Sequence, residues 1–108
     1  MKEYLIRKKV IARLEEECWV SWYPYKTKFR KEIDIFGVFD IVAMKGKEAK
    51  FIQLTSYENV SARIKKVGKF LTKNKIDFKN IEVWGWNKKK HEFRIVRVSR
   101  TGLLAHMS

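Results

Sequence analysis

One acid interrupts an otherwise apolar run: Asp40 sits within Phe36-Gly37-Val38-Phe39-Asp40-Ile41-Val42. A carboxylate in such surroundings is tolerated when it is paired, hydrogen-bonded or bound to a cation, because desolvating an isolated charge costs too much. Further along, Gln53 and Thr55 alternate with apolar residues in Phe51-Ile52-Gln53-Leu54-Thr55-Ser56. A strand turns both side chains to one face, from which they can approach Asp40 on a neighbouring strand. Three polar groups converging on one spot offer oxygen atoms, the ligand type that magnesium requires. Such an ion polarises a phosphoryl oxygen and lowers the pKa of bound water, which then serves as a nucleophile. The plain alternative leaves Asp40 satisfied by backbone amides, with Gln53 and Thr55 as ordinary sheet residues.

The elements that must position these residues follow from apolar periodicity. Over residues 3–17, Tyr4, Ile11, Leu14 and Cys18 share one helical stripe flanked by Ile6 and Val10, which predicts a first helix with Cys18 as a small buried hydrophobe. Cys18 to Tyr23 is rich in β-formers and ends at Pro24, predicting a short strand. From Ile33 to Met44 the chain is apolar on both parities, the pattern of a strand covered on both faces. Lys45-Gly46-Lys47 makes a turn into a second central strand through Phe51, Ile52 and Leu54. Val60, Ile64, Val67 and Leu71 then define a helix packed on the sheet. Residues 80–87 and 92–99 alternate as two strands about the polar turn Asn87 to His91. The order is αβββαββ, an α/β domain with a mixed central sheet flanked by helices. It spans residues 1–100, with 101–108 as a C-terminal tail that lacks a clear period.

Charge narrows the choice of partner. The 108 residues carry 25 Lys plus Arg against 12 Asp plus Glu, a formal net charge of +13. A surplus of this size concentrates polyanions around the protein, and neutralising phosphates releases counterions. DNA is the expected partner; RNA shares the charge argument, and a solubilising surface or a protein-binding adaptor are the alternatives. Two clusters stand out. The first is Lys26, Lys28, Arg30 and Lys31, beside Trp19, Trp22, Tyr23 and Tyr25. The second is the helix bearing Arg63, Lys65, Lys66, Lys69 and Lys73, where Glu58 is the only nearby acid. Trp84 and Trp86 share one strand face, a base-stacking platform or, alternatively, core or dimer packing. The single Cys18 excludes an internal disulfide, and His91 and His106 lack the companions of a zinc site. No window of about 18 apolar residues predicts a membrane span. MKEYLIRKK has no signal-peptide core, so a cytoplasmic location is expected.

The segment Gly37-Val38-Phe39-Asp40-Ile41-Val42-Ala43, a turn, and Phe51-Ile52-Gln53-Leu54-Thr55-Ser56 together resemble the core of the PD-(D/E)XK nucleases, the restriction endonuclease-like superfamily. The likeness is closest to the archaeal Holliday junction resolvases and covers most of the chain. In that family a helix leads into an antiparallel hairpin holding an aspartate and an E-x-K triplet, and a helix and two strands follow. The resemblance implies a homodimeric, Mg²⁺-dependent endonuclease that binds branched or duplex DNA in recombination or repair. Carried over residue by residue, it places Asp40 on the metal-binding aspartate, Gln53 on the glutamate and Thr55 on the lysine. Glutamine keeps a carbonyl oxygen and loses the charge, while a threonine hydroxyl stabilises a developing phosphorane charge poorly. The family's further glutamate on the first helix falls near Arg7, one turn after Glu3. Two readings follow. In one, an active nuclease takes its cation from Lys65, Lys66 or Lys69 and further acids from Asp34 or Glu32. In the other, a catalytically inactive module of the same fold binds nucleic acid.

Overall fold

Ile6, Val10 and Leu14 recur every four residues, and that stripe is what helix α1 (Glu3–Glu16) buries. The structure, a computed structural model, describes residues 3–24, 34–99 and 102–107. The buried stripe lies to one side of the predicted one: Tyr4 is exposed, and Cys18 falls beyond the helix end with φ 68, exposed rather than buried. The chain turns through Glu17 and Cys18 because Trp19 N–H returns to the Leu14 carbonyl at 2.8 Å, closing the helix.

Strand β1 (Val20–Trp22) pairs antiparallel with β2 (Ile41–Lys45), which forms a tight hairpin with β3 (Glu48–Ser56) around Gly46 and Lys47. The predicted strand from Ile33 is shorter than its apolar run. Phe36 and Gly37 both adopt left-handed φ angles of 56 and 71, and the two-way backbone pairing of Ile35 with Phe39 closes a turn there. Glycine enters that region freely, while Phe36 does so at a cost of about 1–2 kcal/mol; its ring stacks on Phe70 and leans on Phe51. The reversal delivers Val38 and Phe39 to the core and starts the strand at Ile41. Met44, expected under cover, is 60% exposed.

A short 3₁₀ turn over Tyr57–Asn59 leads into α2 (Val60–Lys73), the crossover to β4 (Ile81–Asn87), which lies parallel to β3. β5 (Glu92–Ser99) follows antiparallel to β4, and β6 (Gly102–Met107) antiparallel to β5. Residues 101–108, expected as a tail, thus contain a sixth strand. It pairs with the N–H and C=O groups that β5 would otherwise leave at an open edge. The six strands stand in chain order in one mixed sheet, so the expected α/β class with helices flanking a mixed sheet holds.

Two apolar clusters divide the interior by sheet face. α1 presses Val10 and Leu14 onto Ile41, Ala43, Ile52, Leu54, Trp84 and Ile95. On the opposite face α2 presses Val60, Val67 and Leu71 onto Val83, Val96 and Val98, as its spacing predicts. Each such side chain contributes about 1.5–3 kcal/mol on full burial. The tightest approach is at Gly85, where an added Cβ meets Val60 Cγ2 and comes within 3.3 Å of the Ser56 carbonyl oxygen. Gly85→Ala is therefore expected to destabilise the protein by about 1–3 kcal/mol through overpacking. In a Val60→Ala background the same change should cost much less, as read from paired urea titrations.

Candidate functional site

Asp40 precedes β2 directly, and its backbone N–H donates to the Ile52 carbonyl at 2.8 Å, which fixes the carboxylate beside β3. Strand alternation turns Phe51, Gln53 and Thr55 to the α2 face, with Ile52 and Leu54 on the α1 face. Asp40, Gln53 and Thr55 are all buried. Asp40 Oδ2 accepts the Leu54 backbone N–H at 2.7 Å and the Gln53 side-chain Nε2 at 2.9 Å. The same Nε2 reaches the Leu54 carbonyl oxygen at 3.3 Å. The expected convergence of Asp40 with Gln53 is present, and Thr55 lies on the same strand face two residues further on. Gln53 Oε1 is buried without a hydrogen-bond partner among the described residues. Turning the amide over would point an oxygen at the Asp40 oxygen, so the donor set fixes its orientation.

As a magnesium site this cluster is short of charge. It offers one carboxylate, one oxygen of which already accepts two hydrogen bonds, and one neutral carbonyl oxygen. Among the described residues no three His, Cys, Asp or Glu side chains come together as a ligand group. A hard dication held by protein takes several oxygens, with carboxylates supplying the charge. The described residues do not by themselves fit Mg²⁺. Helix α1 packs on the other sheet face, where Arg7 lies over the Tyr23 ring at 4.4 Å, and the side chain of Glu3 lies outside the described residues. Asp34 sits in the turn before Asp40, where its carbonyl accepts the Gly37 N–H, and Glu32 lies outside the described residues.

The candidate cations divide in the same way. Lys65, Lys66, Lys69 and Lys73 are exposed on α2 and Arg63 is half-buried. None of Lys65, Lys66 and Lys69 forms an ion pair with a described residue. Lys65, Lys69 and Lys73 rise one turn apart and line a shallow groove of about 490 Å³ against Val98. Lys26, Lys28, Arg30, Lys31 and Tyr25 lie outside the described residues. Trp84 and Trp86 are 1% and 6% exposed, which removes them as an open stacking platform and places them in the core.

A second polar pair was not anticipated. On the α1 face Glu82 is fully buried, and its Oε1 accepts Trp84 Nε1 at 2.9 Å and meets Lys50 Nζ at 3.4 Å. The Lys50 ammonium also lies 4.6 Å from the centre of the Trp19 ring. The alternation Glu82-Val83-Trp84 was the available signal, since it sets an acid on the same face as a core tryptophan.

Comparison with protein-family models, curated proteins and solved structures yields no match.

Removing one partner of a buried ion pair leaves a bare charge, at a cost of about 3–5 kcal/mol. Lys50→Met is expected to destabilise the protein by that amount in chemical denaturation. Adding Glu82→Gln, which keeps an acceptor for Trp84, should recover most of it.

Proposed function

We propose that the chain is a nucleic-acid-binding domain of restriction endonuclease-like architecture, related to the PD-(D/E)XK nucleases, in which the Asp40–Gln53 cluster serves the fold. The observation that carries the reading is the face of α2. Lys65, Lys66, Lys69 and Lys73 are exposed there and form no ion pair with a described residue, in a chain of net charge +13. Lysines one helical turn apart recur about every 6 Å along the axis, a spacing that follows a phosphate backbone and reads shape and charge rather than sequence. Duplex or branched DNA is the expected ligand, in recombination or repair. The helix, antiparallel hairpin, crossover helix and closing strands occur in the order that the resemblance implies, with Asp40 just before the first hairpin strand and Gln53 on the second.

One observation favours a second reading, an active metal-dependent endonuclease. Gln53 Oε1 is a buried acceptor beside a carboxylate, without a partner among the described residues, and groups of that kind are commonly met by a water or an ion. The resemblance also brings a twofold homodimer into the proposal; exposed Val20, Trp22 and Met44 along β1 and β2 are apolar surface suited to it.

Labelled duplex and four-way junction, incubated with the pure protein in Mg²⁺ or Mn²⁺ and in EDTA, separate the two readings. The binding domain is expected to shift both DNAs in a gel without cutting them, and Asp40→Asn should leave the shift unchanged. Metal-dependent cutting abolished by Asp40→Asn establishes the nuclease instead. Absence of both shift and cutting overturns both.

A further inference from the structure

Between α1 and the β4–β5 hairpin runs an open groove of about 1220 Å³. That exceeds the roughly 300–1,000 Å³ of small-molecule sites, so a stretch of polymer suits it better than a single metabolite. Lys9, Arg13, Lys90 and Arg94 line it against two carboxylates, Glu16 and Glu92. These residues are distinct from the lysines of α2, and the Asp40 cluster contributes nothing to them.

The cations are interleaved with rings. Lys9 Nζ lies 5.0 Å from the centre of the Trp86 ring, and Arg13 Cζ 5.2 Å from that of Trp84. Arg94 Cζ lies 5.9 Å from the centre of Tyr57. Cation–π contacts of this kind restrain long side chains before a ligand arrives, so less freedom is lost on binding. Tyr57 is 43% exposed and lines the groove beside Arg94, which leaves ring surface open to a flat partner. Trp86 also lines the groove, as the ring beneath Lys9.

We infer that this groove binds single-stranded nucleic acid, with phosphates on Lys9, Arg13, Lys90 and Arg94 and an unpaired base against Tyr57. A duplex keeps its bases stacked on one another, whereas a single strand offers a π-face to an aromatic side chain. An acidic peptide satisfies the cations and offers nothing flat to Tyr57. The inference rests on the nucleic-acid reading above and adds a second surface of different preference. Paired and unpaired DNA would then be held at separate places, an arrangement suited to branched substrates.

Fluorescence anisotropy with a labelled oligothymidylate and a labelled duplex, on the full chain, tests it. Lys9→Glu/Arg94→Glu should weaken the oligothymidylate by about tenfold or more and the duplex by less than about threefold, since reversing charge in one groove removes phosphate partners from one ligand only. Tyr57→Leu should weaken the oligothymidylate by roughly 5- to 100-fold, with Tyr57→Phe close to the original chain. Lys65→Glu/Lys69→Glu should give the reverse preference. Thermal melts of each variant confirm that the fold is kept. Oligothymidylate binding that ignores the groove variants and falls with the α2 variant overturns the groove and leaves the nucleic-acid reading standing. Equal loss of both ligands in the groove variants overturns the strand preference. Competition by polyglutamate as effective as by oligothymidylate overturns the ligand class. Failure of the original chain to bind either DNA overturns the proposed function itself.

Discussion

β3 runs through the middle of the sheet with a helix on each face, so its buried polar groups are costly to leave unpaired. On the α2 face Asp40 is paired, accepting from Gln53 and from the backbone of Leu54. On the α1 face Lys50, from the same strand, is matched to Glu82 of the parallel neighbour and covered by Trp19. Both clusters tie β3 to an adjacent strand, one to the start of β2 and the other to β4. Because the pleat places successive residues on opposite faces, a register slip of one residue would bury Lys50 among the valines of the α2 cluster and turn Gln53 toward α1. The buried polar groups therefore help to set the register on which both apolar clusters depend.

Beyond the Lys50–Glu82 pair, most of the described lysines are exposed, and α1 and α2 each carry a group of cations. α2 gives its apolar stripe to the core and its lysines to solvent, a consequence of 3.6-residue periodicity acting on a sequence with few acids. α1 buries Val10 and Leu14 and sets Lys9 and Arg13 over the tryptophans of β4. The same helices that close the core thus carry the basic surfaces on their opposite faces.

Much of this was legible in the residues. The element order, the hairpin at Gly46, the α2 stripe and the approach of Gln53 to Asp40 all follow from spacing. Three features did not, each for a physical reason. The strand expected from Ile33 begins at Ile41, because paired left-handed residues at Phe36 and Gly37 reverse a chain whose apolar pattern continues unbroken. The strand over Gly102–Met107 has no alternation of its own and is specified by pairing with β5, a non-local term. Lys50 and Glu82 lie far apart in sequence and meet only across the parallel β3–β4 register, which the crossover helix sets. For Trp84 and Trp86 the alternation gave the shared face, and only the packing of α1 showed that this face is interior.

We propose that this basic domain holds nucleic acid through its phosphates. The most direct measurement is the duplex dissociation constant as a function of salt. Engagement of about four α2 lysines gives a log–log slope of the association constant near −3 to −5. A slope in that range is the predicted result, whereas an affinity that stays flat with salt, or no measurable binding at low salt, contradicts it.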